Sequence, residues 1–165
     1  MLMRLGSIYV GTLDVMGGAF TYGNRIAIEQ IFANTDKSEY QLLKEAHREL
    51  YGYSCLLLPR KMRFKRLTAI AEGLAQWCRI EAQELDYKPT AEELAAGIEE
   101  YRKKVGHLAT IEAIAERFGQ DPDDVLKWAY SKVFGFLRKD LQEAKFQKRY
   151  NDIMTRKNGG NKKHH

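Results

Sequence analysis

The 165-residue chain is poor in cysteine and proline, with two of one and three of the other. Cys55 and Cys78 form neither a disulfide framework nor a metal-ligand spacing, and each reads as a buried free thiol. Long hydrophobic runs are missing as well. None approaches the roughly 20 apolar residues that cross a bilayer. The start of the chain has an early Arg4 but no extended apolar core and no secretory cleavage pattern. The expected location is therefore the cytoplasm, with no membrane partner.

Motifs for chemistry are equally scarce. His47 has no second ligand at metal spacing, and His107 follows Gly106 with no nucleophile or carboxylate constellation in view. Glu72, Glu81 and Glu84 lack the Glu-x-x-His partners of a di-metal site. Gly17 and Gly18 fit neither a dinucleotide fingerprint nor a P-loop. No catalytic residue, metal ligand or cofactor site is expected, and the protein does not read as an enzyme.

Excess charge is also small once the end of the chain is set aside. The net charge is +5, and Arg156, Lys157, Lys162 and Lys163 account for four of those units. Residues 156–165 read as a flexible basic tail with a weak, salt-sensitive pull on polyanions. Residues 1–155 read as a single domain. A chain of this length buries roughly two thirds of its extended surface without a staple, and a hydrophobic content of 44% argues against wholesale disorder.

What the sequence does contain is helical periodicity. Residues 5–22 differ from the rest: Ile8 and Val10 favour a strand, and glycines punctuate a short strand or hairpin. A first helix starts near Asn24, and Ser38 caps a second that Gly52 ends. A third is expected from about Phe64 to Leu85, with Leu67, Ile70, Leu74, Trp77 and Cys78 on its buried stripe. Thr90 and Glu93 form a capping box for a fourth that runs to Gly106. A fifth spans about Ala109 to Phe118. The predicted fold is mostly α: a compact helical domain with a short irregular or β-hairpin N-terminal region and a long C-terminal helix.

That last segment, Asp121 to Met154, reads as one amphipathic run started by Asp121 and Pro122. On a helical wheel Leu126, Tyr130, Val133, Leu137, Leu141 and Ala144 share one side. Phe146, Tyr150 and Ile153 fall on nearly the opposite side, where Trp128 also points. Either the helix bends or breaks near Ala144, or its distal part serves another surface. The plainer alternative folds Phe146 and Tyr150 back over the same domain. Trp128, Phe146, Tyr150 and Ile153 are the candidate protein-binding residues. Gly135, inside the run, suits a bend or a close helix contact.

Two basic or helical patterns bear on nucleic acid. Arg60, Lys61, Arg63, Lys65 and Arg66 surround Phe64 with no acid among them, a candidate polyanion-binding patch or simply a solvated helix start. Residues 109–128 imitate a helix-turn-helix, but Asp121, Asp123 and Asp124 at the start of its second helix would repel phosphate. A packed helical corner is the better reading.

The stretches T-Y-G-N-R-I-A-I-E-Q-I-F at 21–32, D-P-D-D-V-L-K-W-A-Y-S-K-V-F-G-F-L at 121–137 and Q-K-R-Y-N-D-I-M at 147–154 resemble small proteins of the tail assembly chaperone class of tailed phages and prophages. The resemblance implies a non-enzymatic, mostly helical assembly factor in the host cytoplasm. Such a factor holds the long tape-measure protein soluble, helps tail-tube subunits polymerise around it and is absent from the finished virion. The expected partner is thus a tape-measure or tail-tube protein, with homo-oligomers also open. Two other functions stay in view: a structural or completion component of a phage particle, and a nucleic-acid-associated protein using residues 60–66 and the tail.

Overall fold

A computed structural model describes residues 7–160. The chain opens with an antiparallel hairpin of β1 (Tyr9–Val10) and β2 (Leu13–Asp14), in which Val10 faces Leu13. Gly11 takes the turn at φ +66°, a region that only glycine enters without strain. The Asp14 carboxylate accepts from the Ile8 amide at 3.2 Å and the Met16 amide at 3.0 Å, which satisfies the backbone at the hairpin's open end.

Helices make up most of the rest. Helix α1 (Tyr22–Phe32) begins at Thr21, which shares a reciprocal capping box with Asn24. Helix α2 (Glu39–Tyr51) runs from the expected Ser38 cap to Gly52 in the left-handed region. A single 3₁₀ turn, Cys55–Leu57, leads into α3 (Arg60–Glu84). That helix starts four residues before the expected Phe64, directly after Pro59, so the basic cluster lies within its first turns. Helices α4 (Ala91–Ala95), α5 (Ile98–Val105), α6 (Leu108–Phe118), α7 (Pro122–Leu126) and α8 (Tyr130–Gly160) complete the order.

Two expected helices prove to be broken. The one predicted between Thr90 and Gly106 divides at Gly97, which sits at φ +80°. The run from Asp121 to Met154 divides between α7 and α8. There the Tyr22 amide donates to the Trp128 carbonyl at 2.9 Å, and the Tyr130 amide donates to the Phe20 carbonyl at 2.8 Å. Thr21 and Ala129 thus form an antiparallel bridge, and those bonds occupy the Trp128 carbonyl and the Tyr130 amide, which an unbroken helix would bond internally.

The core gathers Val10, Val15, Phe20, Ile70, Trp77, Tyr130 and Val133. Phe20, Trp77 and Tyr130 meet edge to face, with ring centroids 5.2–5.8 Å apart, an arrangement that adds to simple area burial. Cys55 is buried as expected, whereas Cys78 is exposed, because it lies at the margin of the α3 stripe beside a groove. Gly135 has open space around its Cα, so it makes no close helix contact. Helix α8 runs on to Gly160. Residues 161–165 of the expected basic tail and residues 1–6 of the start lie outside the described part.

A free helical arm, a divided basic patch and an apolar groove

Helix α8 has two halves. Its first turns are held by Tyr130, Val133 and Phe134 in the core. Ion pairs from Arg138 to Glu84 (2.6 Å) and from Asp140 to Arg117 (3.1 Å) tie it to α3 and α6. The expected core-facing row ends at Leu141, and Ala144 is exposed. No bend or break follows. The helix continues, with every residue from Gln142 to Lys157 exposed. At 1.5 Å per residue this arm is about 24 Å long.

Phe146, Tyr150 and Ile153 are each 50–56% exposed along the arm, with Met154 beside them. The Phe146 and Tyr150 rings stack at 6.4 Å. The spacing i, i+4, i+7 keeps these three side chains within roughly 60° of helix circumference. Among the described residues nothing folds over them. Trp128 is not part of the row. It lies in the α7–α8 connection, packs on Phe118 and Phe136, and has the Lys132 ammonium 3.2 Å from its ring centroid. Its wheel position beside Phe146 presumed an unbroken helix, and the break at Ala129 removes that relation.

The basic cluster divides by role. Arg63 donates to the carbonyls of Cys55, Leu56 and Leu58 at 3.1–3.2 Å and so closes the end of the 3₁₀ turn. Arg66 donates to the Thr12 hydroxyl at 3.1 Å and stacks over Tyr51 at 4.8 Å. Arg60, Lys61 and Lys65 remain exposed around Phe64. Arg63 and Arg66 are held against the body by these bonds to neutral groups, while Arg60, Lys61 and Lys65 project without such ties.

Some polar residues that look isolated in sequence come together in space. Both Glu81 carboxylate oxygens accept from Arg25, at 3.1 Å each, and Tyr130 donates to one of them. Arg25 also pairs with Glu29. His107 has a carboxylate after all: its Nε2 lies 2.9 Å from Glu29 and 3.0 Å from Arg25, and its Nδ1 lies 3.3 Å from the Tyr22 hydroxyl. Burial and then the Arg25 charge hold the His107 ring below its ordinary value. Burial, then the Glu81 charge, pushes the Tyr130 hydroxyl far above the ordinary phenol range, so it stays protonated and donates. The set clamps α1, α3 and α8 together. Its hydrogen bonds between elements join residues 49–85 positions apart, and no local pattern announces them. Among the described residues, no group of three His, Cys, Asp or Glu side chains is placed to hold a metal ion.

Beside the clamp, α1, α2 and α3 leave a groove of about 510 Å³. Ile28, Leu74 and Trp77 floor it, and Phe32, Leu43 and Ala75 form its walls. Cys78 opens onto it, and Glu29, Glu39, Glu81 and Arg25 give its rim a net negative charge. No family model, curated protein or solved structure matches the chain. The arm, the patch and the groove are thus read from their own geometry. No helix of the described residues is long and apolar enough to cross a membrane.

Proposed function

We propose that the protein is a non-enzymatic tail assembly chaperone or adaptor that binds the helical tape-measure protein of a phage tail and keeps it soluble during assembly. The observation that carries this reading is the row Phe146, Tyr150 and Ile153, about half exposed on an arm that none of the described residues covers. A tape-measure chain is long and helical with apolar stripes of its own. An amphipathic helix recognises such a partner through anchors at i, i+4 and i+7. Fully covering one of these side chains is worth roughly 1.5–3 kcal/mol. The entropy of association cancels part of that gain, which leaves a contact weak enough for the growing tail tube to displace.

The test is co-expression with the longest helical polypeptide encoded beside this chain, followed by its soluble fraction. Wild-type protein is expected to raise that fraction. The double substitution Phe146→Ser, Tyr150→Ser is expected to abolish the rescue while the thermal transition of the body is unchanged. Equal rescue by the double variant would remove the arm from the function.

A further inference from the structure

One chain carries both an unfilled apolar groove and an uncovered apolar helix. We infer that the arm of one copy docks in the α1–α2–α3 groove of a second copy. The inference rests on the reading of the arm as a helix-docking element, and it adds where that element sits before a client arrives.

The two surfaces match in shape. Phe146, Tyr150 and Ile153 form the one-sided row that a groove between helices accepts. The groove floor of Ile28, Leu74 and Trp77 is apolar, and its volume of about 510 Å³ suits a few large side chains. They also match in charge. Lys145, Arg149 and Arg156 line one edge of the apolar row by helical spacing. The groove rim presents Glu29, Glu39 and Glu81 against the single Arg25. Glu29 and Glu81 are already paired with Arg25, and Glu39 is exposed on the opposite wall. Basic flank against acidic rim favours this orientation of docking over the reverse.

The occupant is a second copy because the chain's own arm cannot turn back. Helix α8 is pinned through Arg138 and Asp140. Residues 142–157 contain neither Gly nor Pro, so no kink is built into the arm. Reciprocal exchange between two copies fills both grooves and covers both rows, a closed arrangement with no free end. A client stripe then competes with the groove for the same three side chains. This makes the exchanged form a storage state that protects the row until the client displaces it.

Sedimentation of the protein alone, across a concentration series, reads the association without any client. Wild type is expected to shift from monomer to dimer. Ala75→Arg places a bulky cation on an exposed groove wall, and Phe146→Ser removes an anchor from the exposed arm. Each is expected to weaken the association about tenfold or more. Both sites are exposed, and an unchanged thermal transition will show that the body stays folded. As a second readout, Ile153→Cys under mild oxidation is expected to link two copies through Cys78, and adding Cys78→Ser is expected to abolish the link. A strictly monomeric wild type, or an association indifferent to Ala75→Arg, overturns the inference. So does a cross-link that survives loss of Cys78. If the monomer still rescues a client through Phe146 and Tyr150, the proposed function stands and only self-docking falls.

Discussion

Two glycines of the same type face opposite circumstances. A Cβ on Gly73 would overlap the Tyr9 carbonyl and lie 2.6 Å from the Val10 Cα, where the hairpin presses its backbone onto α3. Gly73→Ala must push that backbone away, at about 3 kcal/mol by the usual cost of overpacking. A Cβ on Gly135 meets nothing within 4 Å. Gly135→Ala is expected to stabilise by about 1 kcal/mol through helix propensity and a less flexible unfolded chain. Urea denaturation of the two variants checks both signs. A third effect belongs to His47, which is fully buried. Its Nδ1 lies 3.1 Å from the Tyr53 carbonyl. Burial holds its ring below the ordinary value of 6.5, the Tyr53 carbonyl pulls it up and the Arg66 charge pushes it down, with a lowered result. The unfolded chain therefore binds a proton first as pH falls through about 6.5. Stability is full above that value and declines as pH drops towards the folded-state value. His107 contributes with the same sign. The thermal midpoint is expected to be lower near about pH 5 than near about pH 7.5, and His47→Phe is expected to shrink the difference.

Caps and stripes were the elements most legible in the sequence. Ser38 and Gly52 bracket α2, Thr90 and Glu93 form their box, and Gly119 ends α6. These are local signals, carried by residues within one turn of each other. The break before α8 had no such signal. Residues 121–154 keep a helical period throughout, and the interruption comes from hydrogen bonds to Phe20 and Tyr22, more than 100 positions away. The same limit hid the groove, whose walls come from three helices, and the clamp around Glu81. The two-sided character of the last helix, by contrast, was visible in its spacing, and the exposed row Phe146, Tyr150 and Ile153 follows it. Trp128 falls outside that row because the break before α8 interrupts the helical period between it and Phe146. Residues 142–157 bury nothing, so ending the chain after Leu141 is expected to leave the unfolding free energy within about 0.5 kcal/mol of wild type. Without packing, a helix of this length is marginal. Hydrogen exchange along the arm is expected to be fast, and amides of α3 around Ile70 and Leu74 slow. Protection in the arm equal to that of α3 would contradict this in dilute monomer.

At the scale of the whole molecule, the mostly helical class with an N-terminal hairpin and a long last helix agrees with the composition and periodicity of the chain. The body is closed by a pairing between its two ends. Phe20, Thr21 and Tyr22 meet Trp128, Ala129 and Tyr130 through backbone hydrogen bonds, and Phe20 and Tyr130 share one aromatic cluster. Pairings of such long sequence separation are slow to form, because the loop between them must be closed first. On a ribosome the consequence is an order of events. Helices α1 to α3 leave the exit tunnel before the strand-like segment that completes their packing has been made, and they wait for Tyr130 to emerge. Residues 142–157 follow it out of the tunnel, so the sticky row emerges only after the synthesis of everything needed to seal the body behind it.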